Sequence, residues 1–295
     1  MRTAAGWQTG SMTVLIAGCG DLGTEAGLRF AAAGLSVLGW RRSPEKIPAP
    51  LQAQAADLSG ALPRVPGDTD VVVIAVAADE RTEAAYRAAY VDGTANVLDA
   101  LERDGVRPGR ILFVSSTAVY GDAGGGWLDE DSPTAPASVT GAVIREAEDL
   151  LHSRRPDAIV LRLAGIYGPG RTRLIDQVRS GTTDPGQGQL TNRIHRDDAA
   201  AAIVHLTTAV SDPAPLYLGV DNQPVELAEV LEFLAGELHV PLGPAPEDQE
   251  ERRASRGGNR RLSNARLRST GFEFSYPTFR EGYRAILAGD GVRHA

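Results

Sequence analysis

Residues Val14 to Gly23 read Val-Leu-Ile-Ala-Gly-Cys-Gly-Asp-Leu-Gly, and no other decad constrains the fold as tightly. A short apolar run ends in Gly18-x-Gly20-x-x-Gly23, and Glu25, Leu28, Arg29, Phe30 and Ala33 then follow with helical spacing. The pattern is strand, glycine turn, helix. Each glycine has its own task in such a turn. Gly18 permits the tight exit from the strand, Gly20 lets the backbone approach a pyrophosphate, and Gly23 lets helix and strand pack closely. The helix start, at Asp21 and Leu22, offers unpaired N–H groups and the positive end of a dipole to an anion. Because the glycines follow a buried-type strand and open a helix, they predict a dinucleotide site.

The remaining chain repeats that alternation. Apolar runs at Ser36–Trp40, Val71–Ala75, Arg110–Val114, Ala158–Leu163 and Pro215–Gly219 read as strands, with a short one near Gln54–Ala56. Helical patterns fill Gly23–Ala33, Glu80–Glu102 and Val143–His152, and Pro136 bars a helix from starting before about Ala137. Strands joined by crossover helices imply α/β architecture, a doubly wound parallel sheet of the Rossmann type. Beyond Leu163 the chain turns polar and glycine-rich before helical patterns return at Asn192–Thr208, Val225–Leu238 and Thr278–Leu287. The expected division is a dinucleotide-binding domain over residues 12–168, completed by 193–222. Residues 169–192 and 223–295 would form a small C-terminal substrate domain.

Composition narrows the function classes. A net charge of −8 argues against a nucleic-acid-binding face, and no apolar run is long enough to span a bilayer. Arg252, Arg253, Arg256, Arg260, Arg261, Arg266 and Arg268 run against that balance, directly after an acidic stretch. They read as a self-neutralising loop or as a reach toward an anionic substrate. The single cysteine, Cys19, excludes an intrachain disulfide and fits a reducing cytoplasm. Met1–Ser11 has no apolar core of a secretory signal and is set aside from the fold. No His/Cys/Asp/Glu spacing suggests a metal.

Four further motifs carry a family resemblance. They are Tyr90-x-x-Gly93-Thr94-x-Asn96-x-Leu98, Leu112-Phe113-Val114-Ser115-Ser116-Thr117-Ala118-Val119-Tyr120-Gly121, Leu161-Arg162-Leu163-Ala164-Gly165-Ile166-Tyr167-Gly168-Pro169-Gly170 and Ile194-His195-Arg196-Asp197-Asp198-Ala199-Ala200. In this order they resemble an extended short-chain dehydrogenase/reductase of the NAD-dependent epimerase/dehydratase group, over about Val14 to Gly219. The resemblance implies that Gly18, Gly20, Asp21, Leu22, Gly23, Asp57, Leu58, Ala75 and Ser115 border the cofactor. It implies a small-molecule substrate and a homodimer packed through the helices at Glu80–Glu102 and Val143–His152, with Ala85, Ala88, Ala89, Leu98 and Leu101 at the contact.

The chain departs from that family at its catalytic pair. Relatives carry Tyr-x-x-x-Lys, in which Lys lowers the Tyr pKa and holds the nicotinamide ribose. In register with the family pattern, Thr140 takes the Tyr position and Ile144 the Lys position. Lys46 is the only lysine in the chain, so no Tyr-x-x-x-Lys exists anywhere. Ser116 matches the serine that hydrogen-bonds the substrate oxygen. Thr140 keeps a hydroxyl, and Tyr167 or Tyr120 could stand in for the phenol. His195 reads either as a ligand of a substrate anion or as a structural residue, and the Arg of nucleotide-sugar sites is displaced from Thr191 to Arg193. At the end of the second strand the ribose-binding acid is missing, and Trp40-Arg41-Arg42 stands there instead. Arginine grips a 2′-phosphate that a carboxylate would repel, so NADP is the favoured cofactor and NAD the alternative. Two functions remain: an oxidoreductase or epimerase-like enzyme of atypical apparatus, and a non-catalytic NADP(H) sensor or scaffold.

Overall fold

The fold is built on seven parallel strands, in a computed structural model that describes residues 12–181, 188–242 and 258–294. The sheet strands are β1 (Thr13–Ala17), β2 (Ser36–Arg41), β3 (Gln52–Ala55), β4 (Thr69–Ile74), β5 (Arg110–Ser116), β7 (Ile159–Leu163) and β11 (Leu216–Gly219). Their order across the sheet is β11-β7-β5-β4-β1-β2-β3. The sequence places β1 first, and the fold places it inside the sheet, where all five residues are buried. Three short pairs lie outside the sheet: β6 (Trp127–Leu128) with β13 (Arg261–Leu262), β8 (Gly165–Tyr167) with β10 (Arg193–His195), and β9 (Leu190–Thr191) with β12 (Val225–Glu226).

Alternation along the strands builds two cores. Val14, Ile16, Val71, Val73, Leu112 and Leu161 face one way, against Phe30 of α1 (Asp21–Ala32) and Ile203 and Leu206 of α6 (Arg196–Thr208). Leu15, Val72, Ile74, Phe113 and Val160 face the other way. There they meet Leu98 and Leu101 of α3 (Gly93–Arg103) and Ala147 and Leu151 of α4 (Val139–Arg154). The period-2 strand and the 3.6-period helix stripe are thus satisfied together, which is the doubly wound arrangement the sequence predicts. A third core joins α5 (Arg173–Arg179), α7 (Leu227–Leu238) and α9 (Phe279–Ala288) around Val230, Leu234, Phe279 and Tyr283. The short α8 (Ala265–Ser269) returns from that side: Leu267 and Phe272 are buried in the core on the α1 and α6 face of the sheet.

Three segments differ from the sequence reading. The helix expected over 80–102 is α2 (Glu83–Tyr86), a π-helical turn over Arg87–Asp92, and then α3. That wide turn lies where Tyr86 and Tyr90 stack at 5.4 Å, and hydrophobic periodicity carries no sign of it. Asn192–His195 is not helical: His195 is the N-cap of α6, so the residues before it extend as β10. Leu98 and Leu101, expected at a subunit contact, are 2% and 3% exposed because they face the sheet. Met1–Ser11, Arg252, Arg253 and Arg256 lie outside the described residues.

One buried ion pair locks α4 to the sheet. Arg162 of β7 donates from Nε and Nη2 to the two oxygens of Glu148 on α4, at 2.9 and 2.6 Å. Ser115 donates to the same carboxylate at 2.5 Å, and Arg145 donates at 2.8 Å. Burial works to raise the Glu148 pKa, but the Arg162 hydrogen bonds and charge outweigh it, and the carboxyl sits below its ordinary range. Both side chains are nearly inaccessible, so removing Arg162 leaves the buried Glu148 charge with only the part-exposed Arg145 as its cationic partner. We expect Arg162→Met to lose about 3–5 kcal/mol of stability in urea unfolding. A loss below about 1 kcal/mol would show that the pair does not carry this weight.

Candidate functional site

The glycine turn at the end of β1 is shaped by contacts a side chain would break. Gly18 has φ +89°, and a Cβ there would lie 2.6 Å from the carbonyl oxygen of Ala75. A Cβ on Gly23 would lie 2.9 Å from the Gly18 oxygen and 3.0 Å from Ile16. Gly20, by contrast, has open space on its Cβ side and is the N-cap of α1, with no side chain capping the helix. The first-turn N–H groups of Leu22 and Gly23 therefore start a helix uncapped by protein, beside an open approach. That is the cradle an anionic pyrophosphate fits.

Around the turn, the expected cofactor residues fall into different situations. Asp57 sits in an exposed loop, where its carboxylate accepts from the hydroxyl and the N–H of Ser59, and these bonds hold its pKa down. The Leu58 carbonyl accepts a 2.7 Å hydrogen bond from Asn96 of α3, so Asn96 positions that loop. The Tyr90–Leu98 motif contained Asn96, but only the fold shows what it holds. Trp40 is fully buried and donates to Gln54 at 3.0 Å, so it packs and offers no open face for stacking. Arg42 makes two 2.7 Å hydrogen bonds to Asp79. Arg41 differs: its Nη1 is buried and has no hydrogen-bond partner. Cys19 is a packed thiol, 3.6 Å from the Thr24 hydroxyl, and burial raises its pKa.

The catalytic candidates are separated by the alternation of β5. Ser115 points into the Glu148 network and is 4% exposed, so its hydroxyl is not offered to a ligand. Ser116, the next residue, is half-buried, and its Oγ accepts from Ala118 N at 3.2 Å, which caps the turn that follows. Thr140 lies half-buried in the first turn of α4, 3.2 Å from the Ser138 hydroxyl that caps the helix. Ile144, one turn on, is 3% exposed and packs with Val119, Tyr120, Leu218 and Leu262. Ile144, expected at the lysine position, thus lies in an apolar cluster.

Neither candidate tyrosine presents a free phenol. The Tyr120 hydroxyl donates to the Asp129 carbonyl at 2.8 Å and accepts from Arg162 at 2.7 Å. Tyr167 is 5% exposed, its hydroxyl donates to the Thr278 carbonyl at 3.4 Å, and its ring packs on Tyr283 and His195. Burial, with Asp221 adding to it, raises the Tyr167 pKa further from any useful range. As placed here, Tyr167 is a packing residue of the C-terminal core. His195 is likewise buried, and its Nε2 has no hydrogen-bond partner among the described residues. Its Nδ1 accepts from Asp197 N at 3.2 Å, its ring lies 3.8 Å from that of Tyr276, and burial lowers its pKa to about 4. The arginine cluster divides similarly: Arg260 is buried and donates to the carbonyls of Thr117 and Gly121, bracing the loop after Ser116. Arg266 pairs with Asp131 at 2.7 Å. Among the described residues no group of three or more His, Cys, Asp or Glu is placed to hold a metal, and no helix is long and apolar enough to cross a membrane.

A glycine cradle on a parallel sheet, with Ser116 at the end of β5, agrees with a family match. The model of the NAD-dependent epimerase/dehydratase family matches residues 14–217. The chain belongs to that family. It is 32% identical to protein YeeZ of Escherichia coli K12 over 210 residues, 70% of this chain and 67% of that one. An NAD-dependent epimerase/dehydratase structure from Methylobacillus flagellatus is 37% identical, covers 95% of this chain and 99% of its own, and superposes with a TM-score of 0.76. Human epimerase family protein SDR39U1, solved with NADPH, shares the fold at a TM-score of 0.76 and 20% identity, over 94% of this chain and 99% of that one. As a member of the epimerase/dehydratase family, the chain is an NAD(P)-dependent epimerase-like protein.

Asp221, just past β11, is the most perturbed acid whose value lies near neutrality. Burial pushes its pKa up to about 7, and one carboxylate oxygen has no partner. The folded chain therefore keeps this proton to a higher pH than the unfolded chain does. Its contribution to stability is complete below the unfolded pKa near 4 and is lost as pH rises toward 7. Asp221→Asn removes the titration. The variant should gain on the natural chain by up to about 4 kcal/mol between pH 4 and pH 8. Parallel pH profiles in chemical unfolding would count against this assignment.

Proposed function

We propose that the chain binds NADP(H) in preference to NAD(H) and carries slow oxidoreductase or epimerase-like chemistry on a small molecule. The observation that carries the cofactor choice is the orphaned Nη1 of Arg41. It is a buried guanidinium nitrogen at the end of β2, where NAD-binding relatives place a ribose-binding acid. A buried donor without a partner is costly, and a 2′-phosphate would supply the missing acceptor with charge assistance. NADPH in SDR39U1 is in keeping with this reading. Gly18, Gly20, Leu22 and Gly23 would hold the pyrophosphate, with Asp57, Leu58 and Ala75 bordering the dinucleotide. The bound nicotinamide supplies hydride transfer.

Calorimetry should give NADP(H) at least about tenfold tighter than NAD(H), or roughly 1.4 kcal/mol. Arg41→Ala should abolish the difference. Arg42→Ala should matter less, since Arg42 is already committed to Asp79. Equal or tighter NAD(H) binding by the natural chain would remove the proposal.

For the chemistry, Ser116 and Thr140 would supply the hydroxyls. An aliphatic hydroxyl is a poor proton donor near neutral pH, and loss of a positioned acid costs on the order of 10²–10⁴ in rate. The expected result is slow NADPH oxidation across aldehydes, ketones and nucleotide sugars, lowered further by Ser116→Ala. Fast turnover that survives Ser116→Ala would show the assignment wrong. Ile144→Lys would bury an ammonium in an apolar cluster, so restoring the family pair as Thr140→Tyr with Ile144→Lys should lower stability. A second reading, a binding protein without turnover, is favoured by one observation: that cluster leaves the lysine position apolar. The half-buried Ala85, Ala88 and Ala89 on the helical segment before α3 support a homodimer, which light scattering at micromolar concentration tests.

A further inference from the structure

Asp21 is out of keeping with its surroundings. It is the first residue of α1, at the site where an anionic pyrophosphate would approach. A carboxylate there suits the helix dipole but repels a phosphate. Both its oxygens are engaged. Oδ1 accepts from Arg196 Nη1 at 3.0 Å and from the backbone N–H of His294 at 3.1 Å. Oδ2 accepts from Arg171 Nε and Nη2 at 3.2 and 3.0 Å.

The two arginines differ in what they have left to offer. Arg196 is 1% exposed, and its other nitrogens donate to Asp197 at 2.6 Å and to the Val292 carbonyl at 2.9 Å. It is a structural anchor with its donors used. The Arg171 side chain is 34% exposed. It spends Nε and Nη2 on Asp21, and Nη1 has no partner among the described residues. Arg171 also lines an open cleft of about 720 Å³ with Gly170, Arg173, Asp176 and Arg293, so three cations face one carboxylate there.

The contact with Asp21 puts this guanidinium beside the cofactor turn. Arg171 comes from the turn after β8, on the β7 side of the sheet, whereas α1 starts at the end of β1. In the sheet, β7 and β1 are separated by β5 and β4, so the Arg171–Asp21 contact joins segments that leave the sheet at different strands. Ligands of open parallel sheets lie across the carboxyl ends of the strands. Held on Asp21, the Arg171 guanidinium lies at the first residue of α1, next to the Gly20 turn and the uncapped start of that helix. We infer that Arg171 is a ligand of the nicotinamide-side phosphate of the cofactor, and that Asp21 orients it for that contact. The inference rests on the dinucleotide reading of the glycine turn. A planar guanidinium with a spare edge can bind phosphate while two of its nitrogens remain on the carboxylate.

The test is calorimetric titration of the full chain and of Arg171→Gln with NADPH and with adenosine 2′,5′-bisphosphate. The second ligand keeps the adenosine end and lacks the nicotinamide-side phosphate. The variant should bind NADPH about tenfold or more weakly and the bisphosphate within about twofold of the natural chain. Equal losses for both ligands would make Arg171 a tether of the fold, and no loss for either would make it a bystander. Either result overturns the inference. A thermal melt checks folding, and if Arg171→Gln unfolds, Arg171→Lys is read by the same selectivity. If the natural chain binds neither NADPH, NADH nor the bisphosphate, the cofactor reading fails and takes this inference with it.

Discussion

The buried Arg162–Glu148 pair is the contact on which the working edge of this protein depends. It holds α4 to β7, and through Ser115 it holds α4 to β5 as well. The third nitrogen of Arg162 reaches the Tyr120 hydroxyl, and that hydroxyl in turn secures Asp129. One guanidinium thus fixes a helix, two strands and the loop that follows Ser116. Such a pair is tolerable in the interior only because nearly every donor and acceptor is satisfied. It also fixes the register of α4. With Glu148 against Arg162, Ile144 and Thr140 follow one and two turns back, and their roles are decided by that pin.

What the register brings to the lysine position is an apolar side chain in an apolar cluster. Ile144 packs with Val119, Tyr120 and Leu218, and Tyr86 and Tyr90 lie against the same cluster. Arg145, the neighbour of Ile144 on α4, is spent on Glu148 and Asp149. The tyrosines that survive elsewhere in the family motifs have been drawn into the frame: Tyr120 into the Arg162 network and Tyr167 into the C-terminal core.

At the other end of the site, the carboxylate of Asp21 gathers three distant parts of the chain. Arg171 arrives from the turn after β8, Arg196 from the start of α6, and His294 from the C-terminal segment. His294 also contacts Glu25 at 2.9 Å, one turn along α1. The start of the cofactor helix is therefore buttressed by residues far away in sequence, and the glycine turn that precedes it is held against β2 by the Trp40 carbonyl. Rigidity at that point serves a cradle made of backbone N–H groups, which cannot adjust by rotating side chains.

The sequence alone determined the sheet, its glycine turn and the absence of any Tyr-x-x-x-Lys. Those rest on local patterns: period-2 and 3.6-residue spacing, the steric demand at Gly18 and Gly23, and the presence of a single lysine. Tertiary structure alone decided what each polar side chain is for. Arg41 and Arg42 are equivalent neighbours in sequence, yet only Arg41 keeps a buried nitrogen unpaired, because Asp79 lies within reach of Arg42. Ser115 and Ser116 are likewise adjacent, and strand alternation sends only the first into the Glu148 network. Tyr167 and His195 were legible as motif members, but their burial against Tyr283 and Tyr276 depends on segments about a hundred residues downstream. Hydrogen-bond partners separated by so much chain are chosen by packing of the whole fold, and no local spacing encodes them.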